Sequence, residues 1–125
     1  MFKWLRKRLR IANPRDQVLH IGTEGVTLRD DFLDDVLWHV QWGEVQEIVA
    51  FKVDAYTVDC ICLGFIVPGS STFPVANEEM KGWDALNNEL ASRFGVVFDE
   101  WFIGVAFPAF ARNETVLWRR ATTGE

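Results

Sequence analysis

Cysteine, methionine and tyrosine are scarce in this chain, with 2, 2 and 1 copies among 125 residues, and there are only 4 prolines. Two cysteines cannot staple a small fold, and so little proline excludes collagen-like or broadly disordered stretches. A long apolar run is also missing. The longest uncharged window, Cys60 to Asn77, holds two glycines, two prolines and two serines, so no spanning helix is expected. Arg6, Lys7, Arg8 and Arg10 interrupt the opening segment, which leaves no apolar stretch for a secretory leader. There is no Gly-rich phosphate loop, no nucleophile elbow and no His-Glu zinc helix. The expectation is a cytoplasmic, non-enzymatic protein without cofactor or metal.

Aromatic residues, by contrast, are plentiful: 6 Trp and 10 Phe within a chain that is 49% hydrophobic. A chain of this size can bury a substantial core without metal or disulfide. Charge is unevenly distributed. Residues 1–15 carry Lys3, Arg6, Lys7, Arg8, Arg10 and Arg15 and no acid, so the seven remaining bases face all 18 acids, a formal −11 for residues 16–125. Such a body repels phosphate backbones and attracts basic partners, so a basic protein partner is expected and nucleic acid is not. The organisation expected is a basic amphipathic segment over 1–15, then one domain over 16–125 ending in an aromatic-rich extension, 99–125.

Met1 to Ala12 has helical spacing, with Phe2, Leu5, Leu9 and Ala12 on one face and Lys3, Arg6, Lys7 and Arg10 on another. Phe2, Lys3, Leu5, Arg6 and Arg10 would meet an anionic membrane surface if this segment lay on one. Strands are predicted at 18–21 and 26–29, joined by the tight turn Gly22-Thr23-Glu24-Gly25. Val36, Trp38, Val40 and Trp42 alternate as a buried strand face, and Trp42, Val45 and Ile48 are spaced as one helix-like turn. Alternation resumes at Val49, Phe51 and Val53. Tyr56 to Val67 is apolar on both faces, as a central strand requires. Thr72 to Ala76, broken by Pro74, suits an edge. Asn77 is the predicted cap of the main helix, with Met80, Trp83, Leu86, Leu90 and Phe94 as its buried stripe and Gly95 as its stop. Gly82 falls inside that helix, where it would cost about 1 kcal/mol relative to Ala. Residues 114–119 read as a final strand.

This order specifies an α+β fold: a curved antiparallel sheet or partly open barrel, one main helix in the C-terminal half and a short N-terminal helix. The Gly25-Val26-Thr27-Leu28 strand, the Trp42-x-x-Val45-x-x-Ile48 spacing and the late helix together resemble the pleckstrin-homology-like fold over residues 17–95. In lipid-binding relatives of that fold, basic residues of the first hairpin hold inositol phosphates. The corresponding turn here, Gly22 to Gly25, offers Glu24 and no base. In general character the small acidic body is also similar to bacterial immunity proteins, which occlude a cognate toxin.

Candidate site residues follow from charge and aromaticity. His20 and His39 are candidate acid–base groups because imidazole as a chemical type suits proton transfer, but they lie in no metal-ligand spacing, and alternation sets His39 opposite the Trp38 face. Cys60 and Cys62 share one strand face and need two further ligands to hold a metal. Asp30, Asp31, Asp34 and Asp35 lack the alternate spacing and central glycine of a calcium loop, and are assigned as steering charge. The aromatics after Val97 are too many for one strand to hide, so Trp101, Phe102, Phe107 and Phe110 become candidate anchors for a partner. The reading is an acidic protein-binding domain, in its immunity-protein version the inhibitor of a basic toxin. The alternative is a peripheral membrane adaptor held by residues 1–12.

Overall fold

A computed structural model describes residues 16–55, 58–107 and 114–121. The predicted N-terminal helix, with Phe2, Lys3, Leu5, Arg6 and Arg10, lies outside them. Two antiparallel sheets carry the fold. The first has the order β1-β2-β3, built from β1 (Gln17–Ile21), β2 (Gly25–Asp30) and β3 (Asp35–Gln41). A single 3-10 turn, Trp42–Glu44, follows at the place where the helix-like spacing predicts it. The second sheet contains β4 (Glu47–Ala55), β5 (Val58–Ile66), β6 (Val75–Asn77) and β7 (Thr115–Arg119) in the order β6-β5-β4-β7. Among the described residues two helices, α1 (Trp83–Phe94) and α2 (Phe98–Ala106), complete the α+β architecture. Among the described residues the sheets are separate ladders, not closed into a barrel.

In the first sheet the turn closes with Gly22 N–H donating to Gly25 O at 2.9 Å. The expected buried face of β3 is only partly correct. Trp38, Val40 and Trp42 do turn inward, but Val36 is 56% exposed. Leu28 pairs with Trp38 while Arg29 pairs with Val36, so Leu37 is an extra residue in the ladder. Such a bulge moves the residue before it to the opposite face, because side chains alternate with a period of two.

The second sheet explains why its central strands are apolar on both sides. Ile48 and Ala50 of β4, with Ile61, Leu63 and Phe65 of β5, face the first sheet and both helices in one core with Leu19, Val26, Leu28, Val40, Leu86, Leu90, Trp101 and Val105. Each fully buried aliphatic or aromatic side chain contributes about 1.5–3 kcal/mol through removal from water. The opposite face carries a second cluster of Val49, Phe51, Cys60 and Cys62, against which Ile66 and Val75 pack. The Phe73 ring stands edge-on to Phe51 at 6.3 Å. Lys52, buried on the core side, donates to Ala106 O at 2.8 Å, which places a cation at the C-terminal end of α2.

The main helix begins later than the sequence predicts. Asn77 Oδ1 accepts from Glu79 N–H at 2.9 Å, but this closes a turn over 78–81 rather than capping a helix. Lys81 O then accepts from Leu19 N–H at 2.8 Å, lengthening the edge of the first sheet. Gly82, predicted as a helix interior residue, is instead the N-cap of α1 with φ +93°. The stripe of Trp83, Leu86 and Leu90 is buried as expected, and Gly95 ends the helix in the left-handed region.

Candidate functional site

The uncharged stretch after α1 is resolved by a helix with two unlike faces. Trp101 and Val105, four residues apart, point into the core. Asp99, Glu100, Ile103 and Phe107 follow one another at helical spacing on the opposite side, all exposed. Ile103 is 61% exposed and Phe107 63%. The two acids sit in the first turn of α2, where the helix dipole favours them. The proposed anchors therefore divide. Phe107 stands at the surface, Phe102 is half-buried and stacked on Phe98 at 4.9 Å, Trp101 belongs to the core, and Phe110 lies outside the described residues.

Two hollows flank the start of this helix, and exposed Val97 lines both. One, of about 260 Å³, lies toward β7 and is bordered by Glu100, Trp101, Val116 and Leu117. The other, of about 290 Å³, runs between the helices, with Trp83, Asn87 and Ala91 of α1 on one side and Phe98 and Asp99 on the other. Asn87 is buried; its Nδ2 donates to Trp83 O at 3.0 Å, and its Oδ1 has no hydrogen-bond partner among the described residues. Asparagine 87 carries no sequence signal beyond being a polar residue on the buried side of a predicted helix.

The aspartates of the β2–β3 turn are held by their own neighbourhood. Asp30 is completely buried, and its Oδ1 accepts from Phe32 N–H at 3.0 Å and Leu33 N–H at 2.9 Å. Arg29 pairs with Asp34 and approaches Asp31 at 3.7 Å, while Asp35 opens β3. Asp30 is thus a turn-forming acid inside the protein, and Asp31 and Asp34 are partly neutralised at its surface. Neither hollow beside α2 is lined by any of the four.

Both histidines lie on the exposed face of the first sheet. His20 pairs across the ladder with Thr27, and Thr27 with His39. The Thr27 hydroxyl and His39 Nδ1 share a 2.7 Å hydrogen bond, and His20 Nε2 lies 3.3 Å from Asp31. An open groove of about 400 Å³ runs beside them, bordered by the Gly22–Gly25 turn. Neither partner follows from local spacing: the β2–β3 register sets Thr27 beside His39, whereas the turn after β2 brings Asp31 to His20. Among the described residues no group of three or more His, Cys, Asp or Glu is placed to hold a metal ion. Burial, reinforced by Glu78 and Glu79, pushes the Cys60 thiol up, away from the thiolate that nucleophilic chemistry requires. No described helix is long and apolar enough to cross a membrane.

Compared with protein-family models, curated proteins and solved structures, the chain matches none.

Proposed function

We propose that this chain is a non-enzymatic protein-binding domain whose contact surface is the outer side of α2 and the hollows beside it, and whose partner is basic. The observation that carries this reading is the exposed pair Ile103 and Phe107, aligned on one helix face with Asp99 and Glu100. Large apolar side chains flanked by charge are the composition of an interface centre with a polar rim. The formal −11 of residues 16–125 supplies long-range attraction, which speeds encounter with a cationic partner and weakens as salt rises. Two antiparallel sheets with a helix after the sixth strand are the features that support the likeness to pleckstrin-homology-like domains; the second helix and the return of β7 to the second sheet are additions to it. Inhibition of a basic toxin, in the manner of immunity proteins, is the version of this function that the acidic surface favours.

The test is capture of partners from the native lysate at low and high ionic strength, followed by titration of the purified partner. Retention of a basic protein that is released by salt and weakened by Ile103→Ser or Phe107→Ser is the expected result. Recovery of no basic protein, or a partner indifferent to both substitutions, overturns the reading.

A further inference from the structure

We propose that the outer face of the second sheet is a docking surface for the chain's own basic segment, residues 1–12, which is thereby withheld from anionic surfaces. Val49, Phe51, Cys60 and Cys62 lie on that face, turned away from the main core, and are 2–6% exposed. A sheet face this apolar needs a covering layer. Among the described residues the cover consists of Ile66, Val75 and the Phe73 ring. All three sit toward Gly64, which pairs with Val75 and whose added Cβ would strike the Phe73 ring. At the other end Val53 pairs with Cys60 and is 38% exposed. The described cover thus stops short of Cys60, which is buried all the same.

Point of attachment, charge and length select residues 1–15 to continue the cover. They lie outside the described residues, which begin at Asp16. Val18 bridges Lys81 in the parallel sense, so the chain arrives at β1 from the side of Glu78 and Glu79. Both acids are exposed, and both act on the Cys60 thiol, which sets them at the thiol end of the face. Six bases and no acid enter past them, so opposite charges meet at the rim of the face. Phe2, Leu5, Leu9 and Ala12, aligned by helical spacing, are the apolar side that the face lacks. Twelve helical residues span about 18 Å and a nine-residue strand about 30 Å, so the segment fits along β4 and β5. Asn13, Pro14 and Arg15 reach about 10 Å, the usual distance between packed layers. Docking here leaves the outer side of α2 open to the partner proposed above.

The experiment uses the full chain with its two thiols as reporters, reacted with dithiobis-nitrobenzoate at one fixed pH. The triple variant Phe2→Ser/Leu5→Ser/Leu9→Ser should react about tenfold faster than the parent. That is the change expected when a tethered contact with an effective concentration of about 1 mM and an intrinsic dissociation constant of about 0.1 mM is abolished. Hydrogen-exchange protection at the Leu19, Val26 and Val40 amides reports whether the fold is kept. In the parent, nuclear Overhauser effects should join the Leu5 or Leu9 methyls to Phe51 or Val53. A mixture of isotope-labelled and unlabelled chains should place them within one copy. These contacts decide the matter even where the variant fails to fold. Contacts that arise only between copies, contacts that map to another face, or an unchanged thiol rate in a folded variant overturn the proposal. Vesicles of phosphatidylglycerol and phosphatidylcholine that bind the parent without raising its thiol rate also overturn it, because the same apolar residues cannot meet lipid and sheet together.

Discussion

Replacing Gly82 by alanine discriminates sharply between the local and the tertiary view of this chain. Treated as a helix interior residue, Gly82→Ala should stabilise by about 1 kcal/mol. The structure predicts the reverse. At φ +93° an L-residue is strained by about 1–2 kcal/mol, and the added Cβ would stand 2.3 Å from Leu19 O and 3.0 Å from Leu19 Cβ. A backbone oxygen cannot rotate away, so β1 and the 81–82 segment must separate. That movement threatens the Leu19 N–H to Lys81 O bond, whose loss adds about 1 kcal/mol. The expected destabilisation is therefore about 2–4 kcal/mol, which in urea lowers the midpoint by about 1–2 M for a typical slope. Tryptophan fluorescence follows the transition. Gly95→Ala is the internal control, because φ is +69° there but no atom lies within 4 Å of the new Cβ. It should show only the conformational part, about 1 kcal/mol. A Gly82→Ala midpoint at or above that of Gly95→Ala would refute the close-approach argument.

Asp30→Ala should cost about 1–3 kcal/mol in denaturant titration, because the backbone donors of Phe32 and Leu33 lose this acceptor, whereas Asp30→Asn, which keeps a side-chain oxygen there, should cost less. Ile103→Ser and Phe107→Ser should leave the midpoint within about 0.5 kcal/mol of the parent while weakening partner binding, since neither side chain is buried. Cys60 holds its thiol proton more tightly in the folded state, so its contribution is complete below the ordinary thiol value of 9.0 and fades as pH rises through it toward the folded value. Between pH 7 and pH 10 the parent should consequently lose more stability than Cys60→Ala, measured as the pH-dependent change in each.

Where the chain obeyed a strict local period, its structure was legible. Ile61, Leu63 and Phe65 against Cys60 and Cys62 announced a strand buried on both faces, and β5 is one. Val36 was misassigned because alternation cannot register an inserted residue; only the pairing of Arg29 with Val36 reveals that Leu37 is extra. Asn77 misled for a related reason. An Asx acceptor closes a short turn and a helix start by the same hydrogen bond, and the choice here is made by Leu19, which is distant in sequence. For α2 the usable signals were present: acids at Asp99 and Glu100 followed by inward Trp101 and Val105 at a spacing of four. Aromatic and β-branched neighbours around Gly104 obscured them, because their intrinsic preference is for strands.

The two faces of α2 explain how one segment can both complete a core and present a contact surface. A strand of the same composition would set Trp101, Ile103, Val105 and Phe107 on a single side, and burying all four would leave nothing exposed. Helical spacing separates Trp101 and Val105 from Ile103 and Phe107 by about half a turn. Stability then resides in the first pair and recognition in the second. The separation makes the functional reading vulnerable to a direct comparison. Val105→Ala should destabilise by about 2–3 kcal/mol, from two buried methyl groups lost and the cavity they leave. In a sample that remains folded, it should leave partner affinity within a factor of about two, because the outward face is not altered. Ile103→Ser should show the opposite pattern. If both substitutions act equally on affinity and on the urea midpoint, the outward face is part of the folded body's packing and not a place of contact.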